Sequence, residues 1–172
     1  AGAGSGKTGV LTRRIVHMMT ARSISPRNIL ALTFTRKAAN EMRQRLSAML
    51  GNEIVARITI GTFHAISLKI LEAMGREIGY RRYVTVYDEI DQEDVIASLI
   101  AESRSKVKPS RVIKELAGYG ASCDDHEFDE EIKSIVSLYR AKLMSWNAVD
   151  YPLLLTETLR LLRESSEART HF

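Results

Sequence analysis

The first eight residues, Ala1-Gly2-Ala3-Gly4-Ser5-Gly6-Lys7-Thr8, carry the clearest chemistry in the chain. Glycines at alternate positions let successive backbone N–H groups turn toward one point and form an anion nest, and a helix that follows aims its positive end at the same place. Lys7 supplies a point charge for the β- and γ-phosphates of a nucleotide, and the Thr8 hydroxyl supplies a ligand for Mg²⁺. Ala1 stands where the stricter pattern has its first glycine. A phosphate-binding loop of this kind selects a nucleoside triphosphate and names no task. The competing reading is a Gly-Ser linker that happens to contain Lys-Thr. It is disfavoured because an apolar helical pattern begins at once.

Two further constellations invite chemistry and yield little. Cys123-Asp124-Asp125-His126 holds thiolate, carboxylate and imidazole ligand types. With no second pair at ligand spacing, it reads as an acidic connector rather than a metal site. Asp88-Glu89 follows the apolar-rich Val84 to Tyr87 and resembles a pair that holds Mg²⁺ and orients water. It falls before a helical stretch, however, and not at the end of a late core strand.

The elements that must position the loop are legible in the spacing of apolar residues. Val10, Leu11, Ile15, Met18 and Met19 recur at three and four, which predicts an amphipathic helix. Ile29 to Phe34 is almost continuously apolar and predicts a strand covered on both faces. Ala39, Met42, Leu46 and Met49 predict a second helix ending near Gly51-Asn52. Val55, Ile58 and Ile60 suggest a second strand, and Phe63, Ile66, Ile70 and Leu71 a third helix. This alternation belongs to a parallel α/β sheet. Beyond a short β-rich piece, Tyr83 to Tyr87, the patterns are helical, around residues 91–103, 110–117, 132–144 and 153–164, with no strand of comparable strength. That is the look of a helical insertion in an α/β domain. Tyr139, Leu143 and Trp146 read as packing there rather than as a platform for a base.

Composition excludes several classes. The chain has 172 residues, 45% of them apolar, and one cysteine, so neither a disordered segment nor an internal disulfide is expected. No apolar run approaches the roughly 20 residues of a membrane span, so no membrane partner is expected, and the absence of a leader favours the cytoplasm. The net charge of +4 hides a division: residues 1–87 hold 14 Lys+Arg and 4 Asp+Glu, whereas residues 88–172 hold 11 and 17. A polyanion meeting the first half would account for the asymmetry.

Over essentially its whole length the chain resembles a known family. The phosphate loop, then Ile29-Leu30-Ala31-Leu32-Thr33-Phe34-Thr35-Arg36-Lys37-Ala38-Ala39-Asn40-Glu41-Met42, then Gly61-Thr62-Phe63-His64 are similar to motifs I, Ia and Ib of the UvrD/Rep/PcrA superfamily 1 DNA helicases. A weaker likeness runs through Tyr87-Asp88-x2-Asp91-Gln92, where that family enters an inserted helical subdomain, and Asn147 to Tyr151, where it returns.

The resemblance implies an α/β P-loop NTPase of RecA-like fold with an incomplete parallel sheet and an all-helical insertion. Its parts would be residues 1–87, the insertion 88–144, and a return 145–172 that stops before the strand bearing the Mg²⁺-holding Asp-Glu. It implies a piece of an ATP-dependent DNA helicase or translocase of 3′ to 5′ polarity acting in repair or replication. The piece alone is expected to lack appreciable ATPase activity and to require the remainder of the helicase chain, with single-stranded DNA, duplex junctions and repair proteins as partners. ATP and Mg²⁺ would be held by Ala1 to Thr8, with Lys7 and Thr8 catalytic and Thr8 on the metal. Phe34, Thr35, Arg36, Lys37, Thr62, Phe63 and His64 would line the DNA track. Phe34 is placed to stack a base, or alternatively to end a core strand; Thr62 and His64 would bond phosphate oxygens; Arg36 and Lys37 would meet the DNA backbone.

The chain departs from the family pattern in three places. Gly9 replaces a common Arg associated with nucleotide contacts, Arg36 replaces a usual Asn, and Pro152 and Leu153 replace two carboxylates of the return motif. Other parents that fit are the motor of a helicase-nuclease recombination-repair subunit and a non-hydrolysing DNA-binding module with a P-loop.

Overall fold

The computed structural model describes the backbone of residues 7–122 and 129–172, and the side chains of 9–117 and 129–172. The Cys123-to-His126 cluster therefore lies outside the described residues. The chain divides into two compact units, Ala1–Ile66 and Ser67–Phe172.

In the first unit, α1 (Lys7–Arg22) leads through a 3-10 turn to β1 (Leu30–Thr33). Then come α2 (Arg36–Leu50), the single turn α3 (Asn52–Val55), β2 (Thr59–Thr62) and the start of α4 (Phe63–Met74). β1 and β2 pair in parallel, Leu30 opposite Thr59 and Thr33 opposite Thr62, with α2 and α3 as the crossover. Thr35 caps α2, its hydroxyl accepting the Ala38 N–H at 3.1 Å, and Ala39, Met42 and Leu46 face the core at helical spacing. Gly51 ends the helix at φ +84, a conformation that side-chain-bearing residues rarely adopt.

Burial corrects two expectations in this unit. β1 is covered on one face only: Ala31 and Thr33 are buried, while Leu30 is exposed and Leu32 half-buried. The helices contribute one continuous core, from Ile15 on α1 to Ile60 on β2, and it lies against the Ala31 face. For the same reason the α1 stripe is narrower than its spacing implies, with Ile15 buried but Val10 and Leu11 exposed. Val55 belongs to the turn α3 and not to a strand.

In the second unit α4 ends in a 3-10 turn, Gly75–Ile78, before β3 (Thr85–Tyr87), α5 (Glu89–Glu102), α6 (Pro109–Ser122) and α7 (Glu130–Ser145). β4 (Ala148–Asp150), α8 (Tyr151–Glu164) and α9 (Ser166–His171) complete it. β4 is a strand that the apolar pattern did not reveal, three residues long and wholly buried. It pairs in parallel with β3, Thr85 opposite Ala148 and Tyr87 opposite Asp150, so the chain leaves along one strand and returns along its neighbour. Ile132, Ile135, Val136, Tyr139 and Leu143 bury one face of α7. Trp146 does not follow them, being 46% exposed at the helix C-terminus.

Candidate nucleotide and nucleic-acid site

Ala1 to Gly6 lie outside the described residues, and Lys7 and Thr8 are the first two residues of α1. That helix has 16 residues and no acidic residue in its first turn, so its positive end is not offset by a carboxylate of its own. A nucleoside triphosphate fits such an end, since its phosphates are what the aligned N–H groups attract. The position of Gly9 is open: a Cβ there would meet only Arg45 Nη1 of α2, at 3.9 Å. The guanidinium that the family pattern puts at residue 9 is thus absent, and another stands beside the gap. The sequence spacing held no signal for this.

The DNA-track candidates gather where β1 and β2 end. Phe34 follows the last residue of β1 and is 92% exposed, which removes the alternative that it closes a core strand. Its ring lies 5.7 Å from that of Phe63, itself 41% exposed at the start of α4, with a 45° tilt. Parallel strands bring this about, since both end at the same edge. Thr33 makes the arrangement firm. Its hydroxyl lies 3.1 Å from the Thr35 carbonyl and 3.4 Å from the Gly61 carbonyl, tying the two strand ends together. Gly61 allows a close approach here: a Cβ would stand 3.0 Å from Ile66 Cδ1, so that side chain would have to shift.

The polar candidates divide by role. Thr35 and Thr62 both cap helices, the Thr62 hydroxyl accepting the Ala65 N–H at 3.2 Å, so each hydroxyl is oriented by the helix start it caps. Arg36 and Lys37 are exposed in the first turn of α2 beside Phe34, and neither forms an ion pair among the described residues. His64 is half-buried on α4. Arg43, which sequence reasoning passed over, donates to Asn40 Oδ1 at 2.9 Å and also to the Ile60 carbonyl, fastening α2 to β2.

The two weaker likenesses meet in the second unit. Asp150 is 2% exposed and accepts hydrogen bonds from Gln92 Nε2, the Tyr139 hydroxyl and the Leu153 N–H, each at 2.7 Å. Burial first, then the facing Asp150 charge and the hydrogen bond to it, push the Tyr139 hydroxyl well above the ordinary tyrosine range. Asp88 caps α5 through the Ile90 and Asp91 N–H groups, so its carboxylate is occupied by the helix start. Pro152 sits in the first turn of α8 and Leu153 is 2% exposed in the core, which shows what the family's two missing carboxylates have become. Among the described residues no group of three or more His, Cys, Asp or Glu is placed to hold a metal ion, and no helix is long and apolar enough to cross a membrane.

Comparison with known proteins bears on the whole chain. It is 31% identical to the ATP-dependent DNA helicase PcrA of Leuconostoc citreum, over 100% of this chain and 25% of that protein. It is 33% identical to PcrA of Bacillus subtilis over 94% and 23%, and 31% identical to the ATP-dependent DNA helicase UvrD1 of Mycobacterium leprae over 100% and 24%. The chain thus spans about a quarter of the length of these curated relatives. The model of the UvrD/REP helicase N-terminal domain matches residues 1–172, and the chain belongs to that family.

Proposed function

We propose that the chain is the nucleotide-binding and part of the DNA-tracking portion of an ATP-dependent DNA helicase or translocase that moves 3′ to 5′ on single strands. The observation that carries this reading is the pair of exposed rings, Phe34 and Phe63, at the shared end of two parallel strands, flanked by the cations Arg36 and Lys37. Solvent-exposed rings beside cations suit bases and phosphates, at about 1 to 3 kcal/mol for each stacked base. The end of parallel strands is also where open α/β sheets receive ligands. Thr35 and Thr62 act by holding the two helix starts, and through them the rings.

In this reading Ala1 to Thr8 cradle ATP, with Lys7 at the β- and γ-phosphates and Thr8 on Mg²⁺. The bound nucleotide supplies the free energy of hydrolysis that a motor converts to movement. Arg45 stands beside Gly9 where a guanidinium is otherwise missing and contributes a charge near the same helix end. The first unit, with its parallel β1 and β2, is RecA-like, and residues 88–144 form the helical insertion, whose stem is the β3 and β4 pair.

The test is binding of fluorescent oligodeoxythymidylate by the 172-residue chain, followed by anisotropy. Phe34→Ala is expected to weaken binding by about 1 to 3 kcal/mol. The logarithm of affinity should fall by about 0.7 for each neutralised phosphate per tenfold rise in salt. Binding indifferent to salt and to Phe34→Ala would overturn the track assignment. Lys7→Ala should remove binding of a fluorescent ATP analogue while leaving the oligonucleotide affinity intact.

A further inference from the structure

A second surface, wholly within the second unit, combines aromatic faces and cations. It is built from the turn Arg81 to Tyr83 and the end of α7, and Asn147 fastens the two. Asn147 is 7% exposed and lies at φ +57. Its Oδ1 accepts the Arg81 N–H at 2.6 Å, and its Nδ2 donates to the carbonyls of Arg81 and Tyr83 at 3.3 and 3.2 Å. The Arg81 guanidinium reaches the Ser145 carbonyl at 3.5 Å. So held, the Tyr83 ring is 71% exposed with the Arg82 guanidinium 5.0 Å from its centre. Trp146 is 46% exposed, with Lys142 Nζ 5.4 Å from its ring and Tyr87 6.4 Å away at a 33° tilt.

Folding alone does not account for this arrangement. Tyr83 sits at φ +63, a conformation costly for a bulky side chain, and remains 71% exposed. Strain kept at an exposed position points to use. The charges are as telling. The second unit holds 15 Lys+Arg against 19 Asp+Glu, yet Arg81 and Arg82 have no carboxylate partner among the described residues, and Lys142 has Glu102 only at 3.8 Å. Such cations beside exposed rings are how sequence-tolerant proteins take single strands: the rings stack on bases and the cations follow phosphates. An acidic protein segment would engage the arginines and leave the faces of Tyr83 and Trp146 without a stacking partner.

We infer that Arg81, Arg82, Tyr83, Lys142 and Trp146 form a binding site for single-stranded nucleic acid, carried by the second unit and independent of the Phe34 and Phe63 pair. Tyr83 and Trp146 stack on bases. Arg81 and Arg82 meet phosphates, and Asn147 acts as the positioning residue that holds the turn.

Trp146 is the only tryptophan in the chain, so its emission reports on this surface directly. Titration of the 172-residue chain with oligodeoxythymidylate and with oligouridylate should quench it, more strongly at low salt. Quenching by one of the two alone identifies the nucleic acid and upholds the site. Tyr83→Gly suits φ +63 and keeps the turn, and Arg82→Glu changes an exposed residue; each should weaken the quenching isotherm by about tenfold. Phe34→Ala should lower the affinity read by anisotropy while Trp146 is still quenched at saturation, so failure of one site is distinguishable from failure of the other. The inference is overturned by an oligonucleotide that does not quench Trp146, or by quenching unchanged in both variants. Equal quenching by polyglutamate would also overturn it, assigning the surface to an acidic protein instead.

Discussion

The first unit holds 10 Lys+Arg against 2 Asp+Glu, and of its described polar side chains only Thr12 and Thr33 are buried. The second is acidic on balance and buries Gln92, Asn147, Asp150, Glu157 and several hydroxyls. In the first, then, polar and charged groups remain at the surface, where Arg36 and Lys37 border two exposed rings, and the interior is apolar. In the second, polar groups are turned inward to specify the packing. Asp150 gathers three donors, and Glu157 stands between Arg140 at 2.7 Å and Arg160 at 2.9 Å. Buried polar groups are costly unless satisfied, so such a network fixes one arrangement of helices and penalises others. Both units rest on apolar burial; the difference is that the first leaves its charge available at the surface, whereas the second adds particular buried hydrogen bonds to its apolar core.

The sharpest attempt to break this contrast is Asp150→Ala, which orphans the Tyr139 hydroxyl, Gln92 Nε2 and the Leu153 N–H together. A loss of about 3 to 5 kcal/mol is expected in urea unfolding followed by Trp146 emission. Asp150→Asn keeps an acceptor and should recover part of it. A loss below about 1 kcal/mol for Asp150→Ala would mean that the network is incidental.

Leu46, fully buried on α2, tests the other side: Leu46→Ala is expected to cost about 2 to 5 kcal/mol through a cavity, with circular dichroism of the unfolding transition as the readout. Phe34→Ala makes the complementary point. At 92% exposure it should change stability by no more than about 0.5 kcal/mol, while weakening single-stranded DNA binding as above. A destabilisation comparable to that of Leu46→Ala would make Phe34 a structural residue.

The smallest effect is alkaline. Burial raises the hydroxyls of Tyr139 and Tyr80 above their ordinary value of 10.0, and in both cases a nearby carboxylate adds to it, Asp150 for Tyr139 and Glu157 for Tyr80. A group whose folded pKa is raised contributes stability that is fully present below its unfolded value and is lost as pH rises beyond it. The second unit should therefore lose stability above about pH 10, and Tyr139→Phe should flatten that slope while lowering stability at neutral pH. A slope unchanged in Tyr139→Phe and Tyr80→Phe would separate these tyrosines from the network.

Much of the fold was legible. Helices α1, α2, α4, α5, α7 and α8 fall close to their apolar periodicities, because a stripe at spacings of three and four is a local property. The runs proposed as phosphate loop and DNA track stand out for the same reason, each being short and defined by its residue types. β4 was not, since three buried residues make no period. The one-sided cover of β1 was hidden by a continuous apolar run that suits a strand buried on both faces. Trp146 was misplaced because the α7 stripe continues to it in sequence although the helix has already ended.

By itself the sequence determined the Gly-Lys-Thr run from which a nucleotide loop is proposed, the alternation of the first part, the helical character of the second and the division of charge between them. All of these reside in residue types within a few positions of one another. Only the tertiary structure decided that Phe34 faces solvent beside Phe63, that Asn147 pins the turn at Tyr83, and that Gln92 and Asp150, 58 residues apart, share a hydrogen bond. Burial and pairing between distant segments depend on how the whole chain closes on itself, and local spacing holds no record of that closure.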